Sequence, residues 1–147
     1  MNLRVTSDTS VVKKTPPHLL FVYGTLLQPG NEFADYLNQH CKFITRGKLK
    51  GILYDIGEYP GLILNDTTGY VFGNIYQIDK EDVLKELDIY EGVGPDEEQP
   101  NLYLRLSLPI ETDSGSMQAW VYVYNRPIDR LPVIASGNYA EYLKFKA

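Results

Sequence analysis

Within the run DKEDVLKELDIYEG, residues 79–92, Leu84, Leu87 and Glu91 fall at offsets of three, four and seven. Residues at these offsets share one face of a helix. A carboxylic acid therefore lies on the stripe that the helix should bury. It also lies in the last turn, where the macrodipole disfavours negative charge. Burial and dipole both penalise the ionised form, so both raise the pKa of Glu91. A carboxyl raised in this way suits general acid/base chemistry near neutral pH. The other reading is a helix that frays at Tyr90 and leaves Glu91 in water. Asp88, four residues after Leu84, lies near the same face. It either adds a like charge beside Glu91 or bonds a nearby backbone amide.

A second feature is FVYGTL, residues 21–26, an apolar run that stops at Gly24 and Thr25. Glycine after a buried strand permits positive φ or the close approach of another atom. The successive amides of Gly24, Thr25 and Leu26 could then form a concave anion site, as backbone nests do; an ordinary turn is the simpler reading. Neither GxGxxG nor the P-loop pattern is present. Other chemistry is thin. Cys41 is the one cysteine, which excludes an internal disulfide and reads as a small packing or surface residue. His18 and His40 are the only histidines and have no metal-ligand spacing.

The elements that must position these groups follow from periodicity. LLFVY (19–23) has the length and continuous apolarity of a strand buried on both faces. Residues 32–40 read as a short helix capped by Asn31. Residues 43–56 alternate imperfectly around two glycines, predicting one long bent strand or two joined by a bulge. LIL begins another strand, DTTG turns the chain, and 70–78 returns. Residues 79–92 form the clearest helix, with Asp79 as N-cap, Ile78 and Val83 as a staple, and Gly92 at the C-terminal position. LYLRLSLPIE and MQAWVYVYN form a hairpin, and the tail ends in a short helix or strand. The sum is an α+β fold. It is a small mixed β-barrel of about six to seven strands with two to three flanking helices.

At 147 residues the chain favours one domain. Residues 1–17 read as a flexible N-terminal arm and 18–147 as a single domain. A net charge of −5 without a basic block makes nucleic acid a poor partner. No run approaches the ~20 apolar residues of a membrane span, and the N-terminus lacks a signal-peptide core. The expected location is the cytoplasm. Twelve tyrosines suit a β-rich core or a polar-rimmed pocket.

FVYGTL and LDIYEG (87–92) together resemble the gamma-glutamylcyclotransferase-like family, in its avirulence-induced-gene-like branch. YPGL (59–62), YLRL (103–106) and WVYVYN (120–125) are similar to further family segments. The resemblance covers roughly residues 19–126. Many relatives carry a basic residue after Tyr-Gly-Thr-Leu, where this chain has Leu27 and Gln28. The Tyr-Gly-Ser-Leu of the glutathione-specific branch is absent, which lowers that substrate.

The resemblance implies a small mixed β-barrel, no cofactor, and a small-molecule gamma-glutamyl substrate. The implied reaction is attack of the substrate's α-amine on its own γ-carbonyl, releasing 5-oxoproline and a free amine or amino acid. Glu91 is the implied general acid/base. Amides of Tyr23, Gly24, Thr25 and Leu26 are expected to hold a carboxylate or carbonyl oxygen. Tyr59, Pro60 and Gly61 are expected at the rim. Tyr103 and Tyr124 either line the pocket or pack in the core, and Arg105 either balances the buried acid or is an ordinary exposed arginine. The rival readings are a binding module for a small metabolite or peptide end on the same fold, and a surface interaction domain.

Overall fold

A computed structural model describes residues 18–24, 32–66 and 69–145. The expected N-terminal arm, the cap Asn31, the centre of the DTTG turn and the site residues Thr25 and Leu26 lie outside the described residues. Six strands and three helices follow in the order β1 (His18–Val22), α1 (Glu32–His40), β2 (Cys41–Asp55), β3 (Pro60–Leu64), β4 (Tyr70–Ile78), α2 (Glu81–Tyr90), β5 (Tyr103–Thr112), β6 (Gly115–Tyr124) and α3 (Tyr139–Phe145). The sheet order is β3-β2-β4-β1-β6-β5, and a β2–β5 pairing closes five of these strands into a barrel with β3 as an extra strand. Every neighbouring pair is antiparallel except β1–β6, which is parallel, so the barrel is mixed.

β1 is central and buried on both sides, as its apolar run predicts. Phe21 and Tyr23 face the barrel interior, packing with Val71, Ile75, Ile110 and Val121. Leu20 and Val22 face outward into a second core with Leu37 of α1 and with Val83, Leu84 and Leu87 of α2. Strand periodicity of two makes this division unavoidable once both faces are covered. β2 is one continuous strand. Its register shift falls between Phe43 and Thr45 rather than at a glycine. The glycines serve close packing instead: a Cβ on Gly47 would lie 2.6 Å from Ile110 Cγ2, and one on Gly51 2.8 Å from the Ile63 carbonyl.

α2 is shorter than the predicted 79–92. Lys80 occupies the N-cap position without a side-chain cap. Asp79 is not the cap, because its Oδ1 accepts a hydrogen bond from the Gln77 side chain at 2.8 Å. Ile78 and Val83 are nonetheless both buried in the outer core. The C-terminal end is sharply defined. Gly92 N–H donates to the Ile89 carbonyl and Val93 N–H to the Asp88 carbonyl. With Gly92 at φ 72°, this is a Schellman turn, and Glu91 is its C-cap. The chain leaves the helix at Glu91 instead of fraying.

Gly92→Ala places a Cβ in left-handed backbone and should lower stability by about 1 kcal/mol. Urea denaturation of the two proteins measures this; an unchanged midpoint would show that the turn does not need its glycine.

Candidate functional site

Glu91 emerges from the end of α2 beside the end of β1. Tyr23, Gly24, Pro60, Tyr103 and Tyr122 enclose it in a narrow cavity of about 30 Å³. Water needs roughly 10–15 Å³ of such volume, so this inner compartment takes a small polar group and no more. An outer compartment of about 170 Å³ opens beyond it, lined by Tyr59, Tyr90, Leu102 and Tyr103 together with Glu91. Tyr59, Glu91 and Tyr103 border both spaces.

Gly24 lets the two halves meet. A Cβ there would lie 2.8 Å from Pro60 Cγ, so the end of β1 closes against the first residue of β3 only without a side chain. Among the positive-φ residues of the described chain Gly24 does not appear; close approach, not left-handed backbone, is the reason for this glycine. Gly61 has a parallel role one layer back, where a Cβ would meet Tyr124 at 2.8 Å.

Three of the pocket tyrosines have their protons committed to the framework. The Tyr23 hydroxyl donates to the Tyr122 carbonyl at 2.5 Å and accepts from Leu62 N–H at 3.4 Å. The Tyr103 hydroxyl donates to the Pro60 carbonyl at 2.5 Å. The Tyr122 hydroxyl donates to Asp88 Oδ1 at 2.8 Å. Burial first, and the Glu91 charge after it, hold Tyr23 well above the usual phenol range. Burial likewise raises Tyr103 and Tyr122. These rings are neutral walls and fixed struts.

Glu91 differs from them. Among the described residues its carboxyl has no hydrogen-bond partner. The residue as a whole is partly exposed, yet protein crowds the carboxyl, and burial pushes its pKa from 4.5 up to about 7. Asp88 is not the cause. Among the described residues Asp88 bonds no backbone amide either: it is held by Arg105, Nε to Oδ1 at 2.9 Å and Nη2 to Oδ2 at 3.2 Å. Arg105 therefore faces Asp88 rather than Glu91, and its guanidinium lies 4.4 Å from the centre of the Trp120 ring.

The cavity thus brings together Tyr23, Gly24, Tyr59, Pro60, Glu91 and Tyr103 of the expected residues. Tyr124 and Gly61 stand behind it, with the Tyr124 ring edge-on to Tyr103 at 5.7 Å. Tyr122, Tyr90 and Leu102 were not anticipated. Tyr122 could have been found from strand alternation, since it lies two residues before Tyr124 on the same side of β6 and pairs across the sheet with Arg105. Cys41 is half-buried, and burial pushes its thiol up to about 11, which makes it a poor nucleophile. Among the described residues no group of three His, Cys, Asp or Glu side chains could hold a metal ion. No described helix is long and apolar enough to cross a membrane.

The family model described as "Gamma-glutamyl cyclotransferase, AIG2-like" matches residues 20–141. The chain belongs to this family. It is 35% identical over 129 residues to the gamma-glutamylcyclotransferase family protein YtfP of Escherichia coli K12, covering 83% of this chain and 96% of that one. The crystal structure of YkqA from Bacillus subtilis matches with a TM-score of 0.66 at 29% identity, over 86% of this chain but 41% of that longer one. An AIG2-like protein from Mus musculus matches with a TM-score of 0.62 at 28% identity, over 79% and 84% of the two chains. These solved relatives share the fold over most of the described chain.

The raised pKa of Glu91 has a signature in stability. The folded chain binds a proton that the unfolded chain releases between pH 4.5 and 7. Stability from this group is therefore complete below pH 4.5 and is lost as pH rises through 7. Glu91→Gln removes the dependence. Between pH 4 and pH 8 the variant should gain about 2–3 kcal/mol relative to the native chain. Urea titrations at both pH values test it, and an equal difference at the two would mean that Glu91 ionises freely in the folded protein.

Proposed function

We propose that this chain is a gamma-glutamyl cyclotransferase, acting on a gamma-glutamyl amine or gamma-glutamyl amino acid. The observation that carries the reading is Glu91: a carboxyl poised near neutral pH, without a protein partner among the described residues, facing a cavity walled by neutral tyrosines. The substrate's α-ammonium gives a proton to the Glu91 carboxylate. The freed amine attacks the γ-carbonyl carbon and forms the new C–N bond of the ring. Glu91 returns that proton to the departing nitrogen, the carboxylate then takes the surplus proton from the ring nitrogen, and the old C–N bond breaks, the second proton leaving with the amine as an ammonium. The products are 5-oxoproline as its carboxylate and the amine as an ammonium, with atoms and charge conserved and no cofactor needed.

The chemical demand is modest. Attack within one molecule reaches effective molarities of roughly 10⁵–10⁸ M when the reacting atoms are well placed. The pocket's work is to fold the substrate and carry two protons from the attacking nitrogen to the departing one. The inner compartment is too small for a whole gamma-glutamyl group, so the substrate spans both compartments past Glu91. Its polar head reaches the Tyr23–Gly24 strand end, where backbone amides offer hydrogen bonds to a carboxylate or to the developing oxyanion. The amides of Thr25 and Leu26, outside the described residues, are proposed to join them. The departing amine lies outward, towards Tyr59 and Tyr90.

Glu91→Gln keeps the side chain's shape and removes its titrating proton. It should lower turnover by roughly 10²–10⁴-fold. The assay is 5-oxoproline release across a panel of gamma-glutamyl amines and dipeptides. Native-like turnover by the folded variant would remove Glu91 from the mechanism. Binding without release by the native chain would make the protein a binding module. Gly24→Val, which forces Pro60 away from the strand end, should weaken substrate binding in a folded protein. Unchanged affinity there would mean that the strand end is not part of the cradle.

A further inference from the structure

Glu91 is one turn beyond a second acid. Asp88 and Glu91 are spaced i, i+3, which on a helix brings their Cβ atoms within about 5–6 Å. Two carboxylates at such range normally cannot both ionise freely. Yet Asp88 is engaged on both oxygens by Arg105 and receives a third hydrogen bond from Tyr122. Arg105 reaches it from β5, and Tyr122 from the facing position on β6, because the two are cross-strand partners. The Arg105 guanidinium is itself fixed over the Trp120 ring, and Trp120 Nε1 donates to His18 Nδ1 at 3.4 Å.

The other groups around Glu91 bring no formal charge to its carboxyl. Tyr23 at the end of β1, Tyr59 before β3, Tyr103 on β5 and Tyr122 on β6 are all raised above the ordinary phenol range and stay protonated. Arg126, which bonds the Pro100 carbonyl, and Glu58 act on Tyr59 at the outer mouth. Asp88 and Arg105 are thus the charged pair built into the same helix end and the strands under it.

We propose that Arg105 is a positioning residue that acts through Asp88: by bridging both carboxylate oxygens it cancels the negative charge one turn below Glu91 and ties that helix end to β5 and β6. Burial alone then sets the Glu91 carboxyl, at about 7, where it can both take and return a proton. Without the guanidinium, Asp88 would add its repulsion to the burial cost and leave most of the Glu91 carboxyl protonated, and so unable to take a proton, at neutral pH. The functional meaning of the pair rests on the acid/base reading of Glu91; its electrostatic effect does not.

The test is a carbon-13 NMR titration of the Glu91 carboxyl, assigned by loss of its resonance in Glu91→Gln. Arg105→Gln should raise the Glu91 pKa by about one pH unit, and Asp88→Asn should lower it by a similar amount. The Asn amide oxygen still accepts from Tyr122, which preserves the strut. The double variant should return near the native value. A merely structural role predicts something else: either change would loosen the helix end, admit water and lower the pKa in both variants. Shifts of the same sign, or none, overturn the proposal. If Arg105→Gln does not fold, Asp88→Asn and Arg105→Lys decide it, the first lowering the pKa and the second leaving it near native. The titration needs no turnover, so it stands even if no substrate is cyclised. Where a substrate is found, the acid limb of kcat/KM should move with the NMR value. A limb that stays still while the carboxyl pKa moves would uphold the role of Arg105 and overturn the acid/base reading of Glu91.

Discussion

The site depends on keeping one carboxyl group from water without giving it a partner. A buried carboxylate ordinarily finds a cation or several N–H donors, because its desolvation is otherwise uncompensated. Glu91 finds none among the described residues, and its pKa rises to about 7 as a direct consequence. The cost is borne by the packing around it. Leu84 and Leu87 anchor the helix in the outer core, and the Schellman turn at Gly92 fixes where the helix stops. A looser end would let Glu91 swing into solvent and return to an ordinary carboxylate.

The barrel supplies the opposite wall for reasons set by topology. β1 lies between β4 and β6, buried on both faces, so its end cannot drift. Its parallel pairing with β6 brings the ends of both strands to the same side of the sheet, which puts Tyr23 and Gly24 near Tyr122. The Tyr23 hydroxyl then joins three segments, since it bonds the Tyr122 carbonyl and the Leu62 amide. Tyr103 adds a further tie, from β5 to Pro60. Tyrosine suits this work because its ring fills apolar space and its hydroxyl satisfies a buried backbone group at the far end. The abundance of tyrosine reflects both the core and the pocket at once: Tyr23 and Tyr103 belong to each.

Sequence carried much of this. The continuous apolar run at 19–23 identified a strand covered on both sides, and helical spacing put Glu91 on the buried stripe. Both follow from periodicity, which is local. The cap at Asp79 was misread because Gln77 competes for that carboxylate, a side-chain choice that spacing does not encode. The partner of Asp88 was misread for a different reason. Arg105 is seventeen residues away along the chain, and only the β5–β6 register brings it beside Tyr122 and under α2. Alternation showed which residues share a face of β6, but not that Tyr122 would border the cavity while Tyr124 stands behind Tyr103. Depth within a pocket is a tertiary quantity, fixed by where β3 and Pro60 close over the strand ends.

The same distinction bears on which groups can transfer protons. A list of ionisable side chains at this pocket would name Glu91 and several tyrosines as candidates. Geometry separates them. Tyr23, Tyr103 and Tyr122 donate their only hydroxyl protons to framework acceptors, and burial keeps them neutral; drawing on one would break a strut that shapes the cavity. Tyr59 borders both compartments without such a bond among the described residues, but burial raises it too and leaves it a weak acid at neutral pH. Among the described residues Glu91 alone combines access to both compartments with a pKa near neutrality. A reaction that removes a proton from one nitrogen and delivers it to another needs one such group between them, and the two compartments meet at that carboxyl.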